Sequence, residues 1–187
     1  DLFKRGHTDN IFLFSSNEMK RNLQDFHPTS FEDLVILNCL YRPGSMDDIA
    51  AVIKQKKSKN SIEYIIPCME SVLNNTYGII VYQEQIMMLS RLIADFNQSE
   101  SALLRMAIGM FKKELLPSLK NRFIRGGMKN EYKKTALEKL WDEIESKGKY
   151  AFNKSHSVCY TWLAYQMAYL KANYSKEFVQ VMEKYHS

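Results

Sequence analysis

Apolar residues recur at three- and four-residue intervals along most of the chain, and polar clusters with helix-start chemistry interrupt the recurrence. Met19, Leu23 and Phe26 fall on one helical face behind Ser15-x-x-Glu18, which has the spacing of a capping box. Thr29-x-x-Glu32 repeats that spacing ahead of Leu34, Ile36, Leu37 and Leu40, a helix too apolar to lie on a surface. It is predicted to stop at Arg42-Pro43-Gly44, because a residue before proline is pushed out of the α region. Ser45-x-x-Asp48 opens a helix carrying Ile49, Val52 and Ile53, which runs into the basic tract Lys54, Lys56, Lys57 and Lys59.

The same reading continues downstream. Pro67 suits the first turn of a short helix ending near Asn75, and Tyr77-Gly78 turns the chain. Ile79 to Tyr82 has strand character, but Ile86, Leu89, Ile93 and Phe96 sit at helical spacing within Gln83 to Phe96. Asn97-x-x-Glu100 caps a helix holding Leu103, Leu104, Ala107 and Ile108. A helix near Pro117 carries Leu119 and Phe123 and is expected to end at Gly126-Gly127. The next holds Leu137, Leu140, Trp141 and Ile144 and ends at Gly148. A long one is expected from about Ser157 to Asn173, and Ser175 starts a terminal helix through Met182. The expected class is all-α, an irregular multi-helix domain, with room for one small β-hairpin near residues 60–82.

Composition narrows this only a little. In 187 residues, 45% hydrophobic content provides one well-cored domain or two small ones. The 26 Lys and Arg against 21 Asp and Glu leave a net charge of +5, which permits a polyanionic partner without requiring one. Cys39, Cys68 and Cys159 are an odd count with no close pair, which argues against a disulfide framework or zinc site and suits a reducing compartment. Runs such as Ile79 to Tyr82 are far too short to span a membrane, and no leader pattern opens the chain. The chain reads as cytoplasmic, and its abrupt start at Asp1-Leu2-Phe3 as a fragment of something larger.

Several chemistries find no motif here. His-Glu-x-x-His, Cys-x-x-Cys, Gly-x-Ser-x-Gly and a phosphate-binding glycine loop are all missing from the sequence, as is an Asp-x-Asp pair in an apolar strand. Asp47-Asp48 are adjacent but open a helix, where they favour its positive end. No catalytic residue and no metal ligand are therefore assigned within the chain.

One segment stands apart. Phe152-Asn153-Lys154-Ser155-His156-Ser157-Val158-Cys159-Tyr160 gathers an amide, an ammonium, two hydroxyls and an imidazole just before a tyrosine-rich helix. Free N–H groups at a helix start, with a lysine beside them, suit phosphate, and His156 and Tyr160 share a helical face. An ordinary polar helix start is the competing reading. Tyr82-Gln83-Glu84-Gln85 is a second polar cluster beside an apolar run, either an exposed first turn or part of a pocket. Arg42 and Arg105 stand among apolar neighbours and need a carboxylate, carbonyl or phosphate partner. Lys54, Lys56 and Lys57 make a solvated helix end or a weak DNA phosphate contact.

Four segments occur in order: Tyr41-Arg42-Pro43-Gly44, then Thr76 through Gln85, then Leu103-Leu104-Arg105, then Phe152 through Ser157. The series resembles the alpha subunit of bacterial DNA polymerase III, a C-family replicative polymerase, and so does its continuation from Ala164 to Phe178. The resemblance covers roughly Leu2 to Val179. It implies a helical fingers domain over residues 1–179, with 180–187 the start of a following segment or a truncated end. It further implies that Arg105, Asn153, Lys154, Ser155, His156, Ser157 and Tyr160 face the incoming nucleotide. Arg42, Tyr82, Gln83, Glu84 and Gln85 would support that pocket.

By the same resemblance the partners are primer-template DNA, dNTP, the palm and thumb domains and replisome subunits. Magnesium belongs to the parent enzyme and is held by palm aspartates outside this chain. The fragment alone is expected to be inactive. Where the family usually reads Arg-Arg-Ala-Met-Gly-Lys-Lys, this chain has Arg105-Met106-Ala107-Ile108-Gly109-Met110-Phe111, with Lys112-Lys113 following. Phe12-Leu13-Phe14-Ser15-Ser16 lacks an amide and a carboxylate of the usual pattern, and Ser45 stands where a second proline is common. These losses predict weaker nucleotide binding. Two rivals stand beside this reading. One is a stand-alone helical DNA-binding module; the other is a protein-interaction scaffold docking through Tyr165, Met167 and Tyr169.

Overall fold

The computed structural model describes residues 1–58, 62–110, 112 and 114–186. Lys59, Phe111 and Lys113 therefore lie outside the described residues. The described chain is all-α, as expected, and divides into two compact units: Asp1–Tyr41 with Ser155–Ser187, and Arg42–Lys154.

The first unit contains α1 (Asn17–Phe26), α2 (Phe31–Leu40), α9 (Lys154–Asn173) from its second residue, and α10 (Ser175–His186). Met19, Leu23 and Phe26 are all buried, as their spacing predicts. Both helix starts fall one residue later than expected. Ser16, not Ser15, accepts from the Met19 amide at 3.2 Å, and Ser30 with Asp33, not Thr29 with Glu32, forms the capping box. Asp33 wins because one of its oxygens accepts from the Thr29 amide and hydroxyl and the Ser30 amide together. Phe3 meets Phe14 edge-on, with ring centres 5.3 Å apart. Lys171 of α9 donates to the carbonyls of His7 and Asp9.

The second unit contains α3 (Asp47–Lys57), a short α4 (Glu70–Leu73) between 3-10 turns, α5 (Gln83–Ala94), α6 (Gln98–Gly109), α7 (Leu116–Lys129) and α8 (Lys134–Gly148). Its core joins Ile86, Leu89 and Ile93 of α5 to Leu104 and Ile108 of α6, Phe123 of α7, and Leu140, Trp141 and Ile144 of α8. Ser45 does not cap α3; its hydroxyl donates to the Arg42 carbonyl, and the helix starts two residues on. The Asn97–Glu100 box forms as expected. Glu100 also pairs with Arg122, which donates to the Ala94 and Asp95 carbonyls. The Asn97 amide, and after it Arg122, holds the Glu100 carboxyl below its ordinary pKa.

Two further expectations fail in this unit. The helix of Pro117 runs through Gly126-Gly127 to Lys129. A Cβ on Gly126 would lie 2.2 Å from the Ala94 carbonyl oxygen, and one on Gly127 2.4 Å from Leu137. Those glycines let α7 approach its neighbours; they do not end it. The hairpin near 60–82 is not formed among the described residues. The N–H groups of Val81 and Tyr82 are taken by the Gln85 side chain, and the bridge at Tyr82 pairs it with Phe152. Tyr77-Gly78 does turn the chain, both residues lying at positive φ, 56° and 80°.

Candidate nucleotide-facing site

In the second unit, the start of α5 organises the site. The Gln83 amide donates to the Phe152 carbonyl at 2.9 Å, and the Phe152 amide to the Val81 carbonyl at 2.9 Å. This two-rung parallel bridge sets Tyr82 beside Phe152. From that footing, three consecutive side chains do different things. Gln85 points inward, 5% exposed: its oxygen accepts from Val81 and Tyr82, and its nitrogen donates to the Thr76 hydroxyl and the Val72 carbonyl. Gln83 accepts from the Arg105 guanidinium at 3.2 Å. Glu84 accepts from the Lys154 amide through both oxygens, each at 3.2 Å.

The cations are thereby placed. Arg105, on α6, is exposed, with Gln83 holding one of its nitrogens. That partner is a side-chain amide oxygen and not the carboxylate or phosphate that the apolar neighbours of Arg105 in sequence call for. Lys154 carries its ammonium over the Tyr82 ring, 5.0 Å from the centre, while that ring is 2% exposed. Arg42 lies 4.1 Å over the Phe152 ring and donates to the Tyr150 carbonyl at 2.7 Å. Gly44, at φ 89°, leaves room for the Tyr150 ring, which a Cβ would meet at 2.2 Å. Arg42, Tyr82, Gln83, Glu84, Gln85, Arg105 and Lys154 are thus linked through the bridge, and Asn153 lies exposed between Phe152 and Lys154.

In the first unit, α9 begins three residues earlier than its sequence pattern suggests, at Lys154. Ser155, His156 and Tyr160 are exposed, and the His156 and Tyr160 rings stack at 4.4 Å, the i, i+4 pair that the spacing predicts. Phe12 extends the aromatic surface, 5.7 Å from Tyr160. Ser157 turns the other way: it is buried, donates to the Val35 carbonyl, and accepts from Asn38, which also donates to Thr161. Asn38 is a residue that sequence reasoning missed, though one amide inside the apolar run Leu34–Leu40 was a signal.

Lys54, Lys56 and Lys57 occupy the last turn of α3, where cations suit the helix dipole; Lys56 reaches to 5.9 Å over Tyr77. Met110, in a position the resemblance gives to lysine, is 64% exposed, and Met106 is half-buried. Among the described residues, no group of three or more His, Cys, Asp or Glu is placed to hold a metal ion. No helix among them is long and apolar enough to cross a membrane.

These helices and motifs are those of a polymerase finger segment. Residues 1–131 match the family described as bacterial DNA polymerase III alpha subunit finger domain. Over 182 residues the chain is 42% identical to DNA polymerase III subunit alpha of Aquifex aeolicus, covering 96% of this chain and 16% of that protein. The subunit of Halalkalibacterium halodurans is 41% identical over 177 residues, 95% of this chain and 16% of its own length. That of Bacillus subtilis is 39% identical over 178 residues, again 95% and 16%. The chain belongs to the bacterial DNA polymerase III alpha-subunit family, in its finger region, and spans about a sixth of the length of these relatives.

Proposed function

We propose that residues 1–179 act as the fingers of a DNA-directed DNA polymerase and present the incoming dNTP, with the primer-template, to a palm domain outside this chain. The observation that carries this reading is the convergence of Arg105 and Lys154 on one bridged backbone, each held by a polar or aromatic partner from the start of α5. Phosphoryl transfer is chiefly positioning and charge stabilisation, so fixed cations are the chemistry a fingers segment has to offer.

In this reading Arg105 and Lys154 meet the triphosphate, while Asn153, Ser155, His156 and Tyr160 offer hydrogen bonds and a stacking surface for sugar and base. Ser157 in the first unit, and Gln85 and Arg42 in the second, have polar groups engaged within their own units and support their neighbours there. The α3 lysines are a secondary DNA phosphate contact. Magnesium, where the polymerase binds it, would screen the developing charge from the palm; the described residues here do not fit it. A cytoplasmic setting with thumb, palm and replisome subunits as partners completes the reading.

Its test is a primer-extension assay with magnesium. The 187-residue chain alone is expected to add no nucleotide, whereas the longer polymerase that contains it extends the primer. Synthesis by the isolated chain would refute the division of labour.

A further inference from the structure

We infer that Glu84 is a positioning residue: from the first turn of α5 it holds the first amide of α9 and so fixes where the Lys154 ammonium stands. The inference rests on the reading of Lys154 as a nucleotide contact. The first amides of a helix have no acceptor within it. Here the Lys154 amide is satisfied from 70 residues upstream, straddled by the two Glu84 oxygens at 3.2 Å each.

The footing of Glu84 is itself fixed. Gln83, its neighbour, is bonded through its amide to the Phe152 carbonyl, and Gln85 on the other side is anchored inward. Lys154 is consequently held at two points by one stretch of chain: its amide by Glu84, its ammonium over the ring of Tyr82. One amide of the observed helix start, that of Lys154, is thus already occupied by this carboxylate. In this reading the phosphate meets the lysine side chain, and Glu84 acts through that side chain without touching the nucleotide.

The test uses the full-length polymerase with primed template, measuring KM for dNTP and kcat for E84Q, E84D, E84A, K154A and the double variant E84A/K154A. Reach matters more than charge here, because an amide oxygen still accepts from the backbone whereas a shorter carboxylate falls away from it. E84Q is expected to keep KM within about threefold, and E84D and E84A to raise it roughly tenfold with kcat little changed. On the K154A background, E84A should add less than twofold. The inference is overturned if E84D works normally while E84Q fails, or if the E84A and K154A effects multiply in full. If K154A leaves KM unchanged, the nucleotide reading of Lys154 fails first, and this role with it. Should E84A not fold, the E84Q and E84D comparison decides alone.

Discussion

Gln85→Ala is expected to destabilise the second unit by about 3 kcal/mol, because it strips the acceptor from two buried amides at once. Each buried donor left without a partner costs about 1–3 kcal/mol, and the Thr76 hydroxyl loses its donor in the same step. The loss strikes where it matters: Val81 and Tyr82 form the bridge that sets Phe152, Asn153 and Lys154. Urea unfolding followed through Trp141 measures it, with Trp162→Phe introduced so that one indole reports. Trp141 is fully buried in that unit's core, so its emission follows the unit that contains Gln85. A change below about 0.5 kcal/mol, within the range of an ordinary surface substitution, would refute the structural role given to Gln85.

Arg105→Ala carries the largest expected effect on activity. A guanidinium lost from a triphosphate forfeits charge-assisted hydrogen bonds of about 1.5–3 kcal/mol, so KM for dNTP in the full-length polymerase should rise roughly ten- to a hundredfold. The effect should lie at the upper end, because residues 105–110 contain no other cation. Arg105→Lys should recover only part, since an ammonium cannot reproduce the planar fork. The converse variant is informative. Met110 is 64% exposed, so Met110→Lys adds a charge without disturbing packing and is expected to lower KM by a few fold. Unchanged KM in Arg105→Ala would remove this residue from the nucleotide surface.

Most of the helical fold was legible because it is local. The spacing of Met19, Leu23 and Phe26, or of Leu137, Leu140, Trp141 and Ile144, is a one-dimensional record of a buried face. Helix ends were legible only to within a residue where two capping groups lie side by side, as at Ser15-Ser16 and Thr29-Ser30. What escaped was decided across long separations. Gly126-Gly127 looks like a stop signal, and only the approach of Ala94 and Leu137 reveals a packing contact instead. The sequence pattern puts the start of α9 too late because the carboxylate that satisfies its first amide belongs to Glu84.

The candidate site divides in the same way. The segments from Tyr82 to Gln85 and from Phe152 to Tyr160 stand out in the sequence for their polar density. Their connection is a backbone bridge, which no side-chain pattern encodes. That Gln83 serves Arg105 while Gln85 serves the main chain could not be told from two glutamines flanking one glutamate. Asn38, isolated in an apolar helix, was visible but had no partner until α9 was in place.

The most direct measurement is photocrosslinking of the full-length polymerase, with primed template and magnesium, to a dNTP carrying an aryl azide on its γ-phosphate. Peptide mapping is expected to place the adducts on the segments holding Gln83, Arg105 and Asn153 to His156, and excess unmodified dNTP should suppress them. Adducts confined to other segments, with these peptides recovered unmodified, would contradict the nucleotide-facing surface.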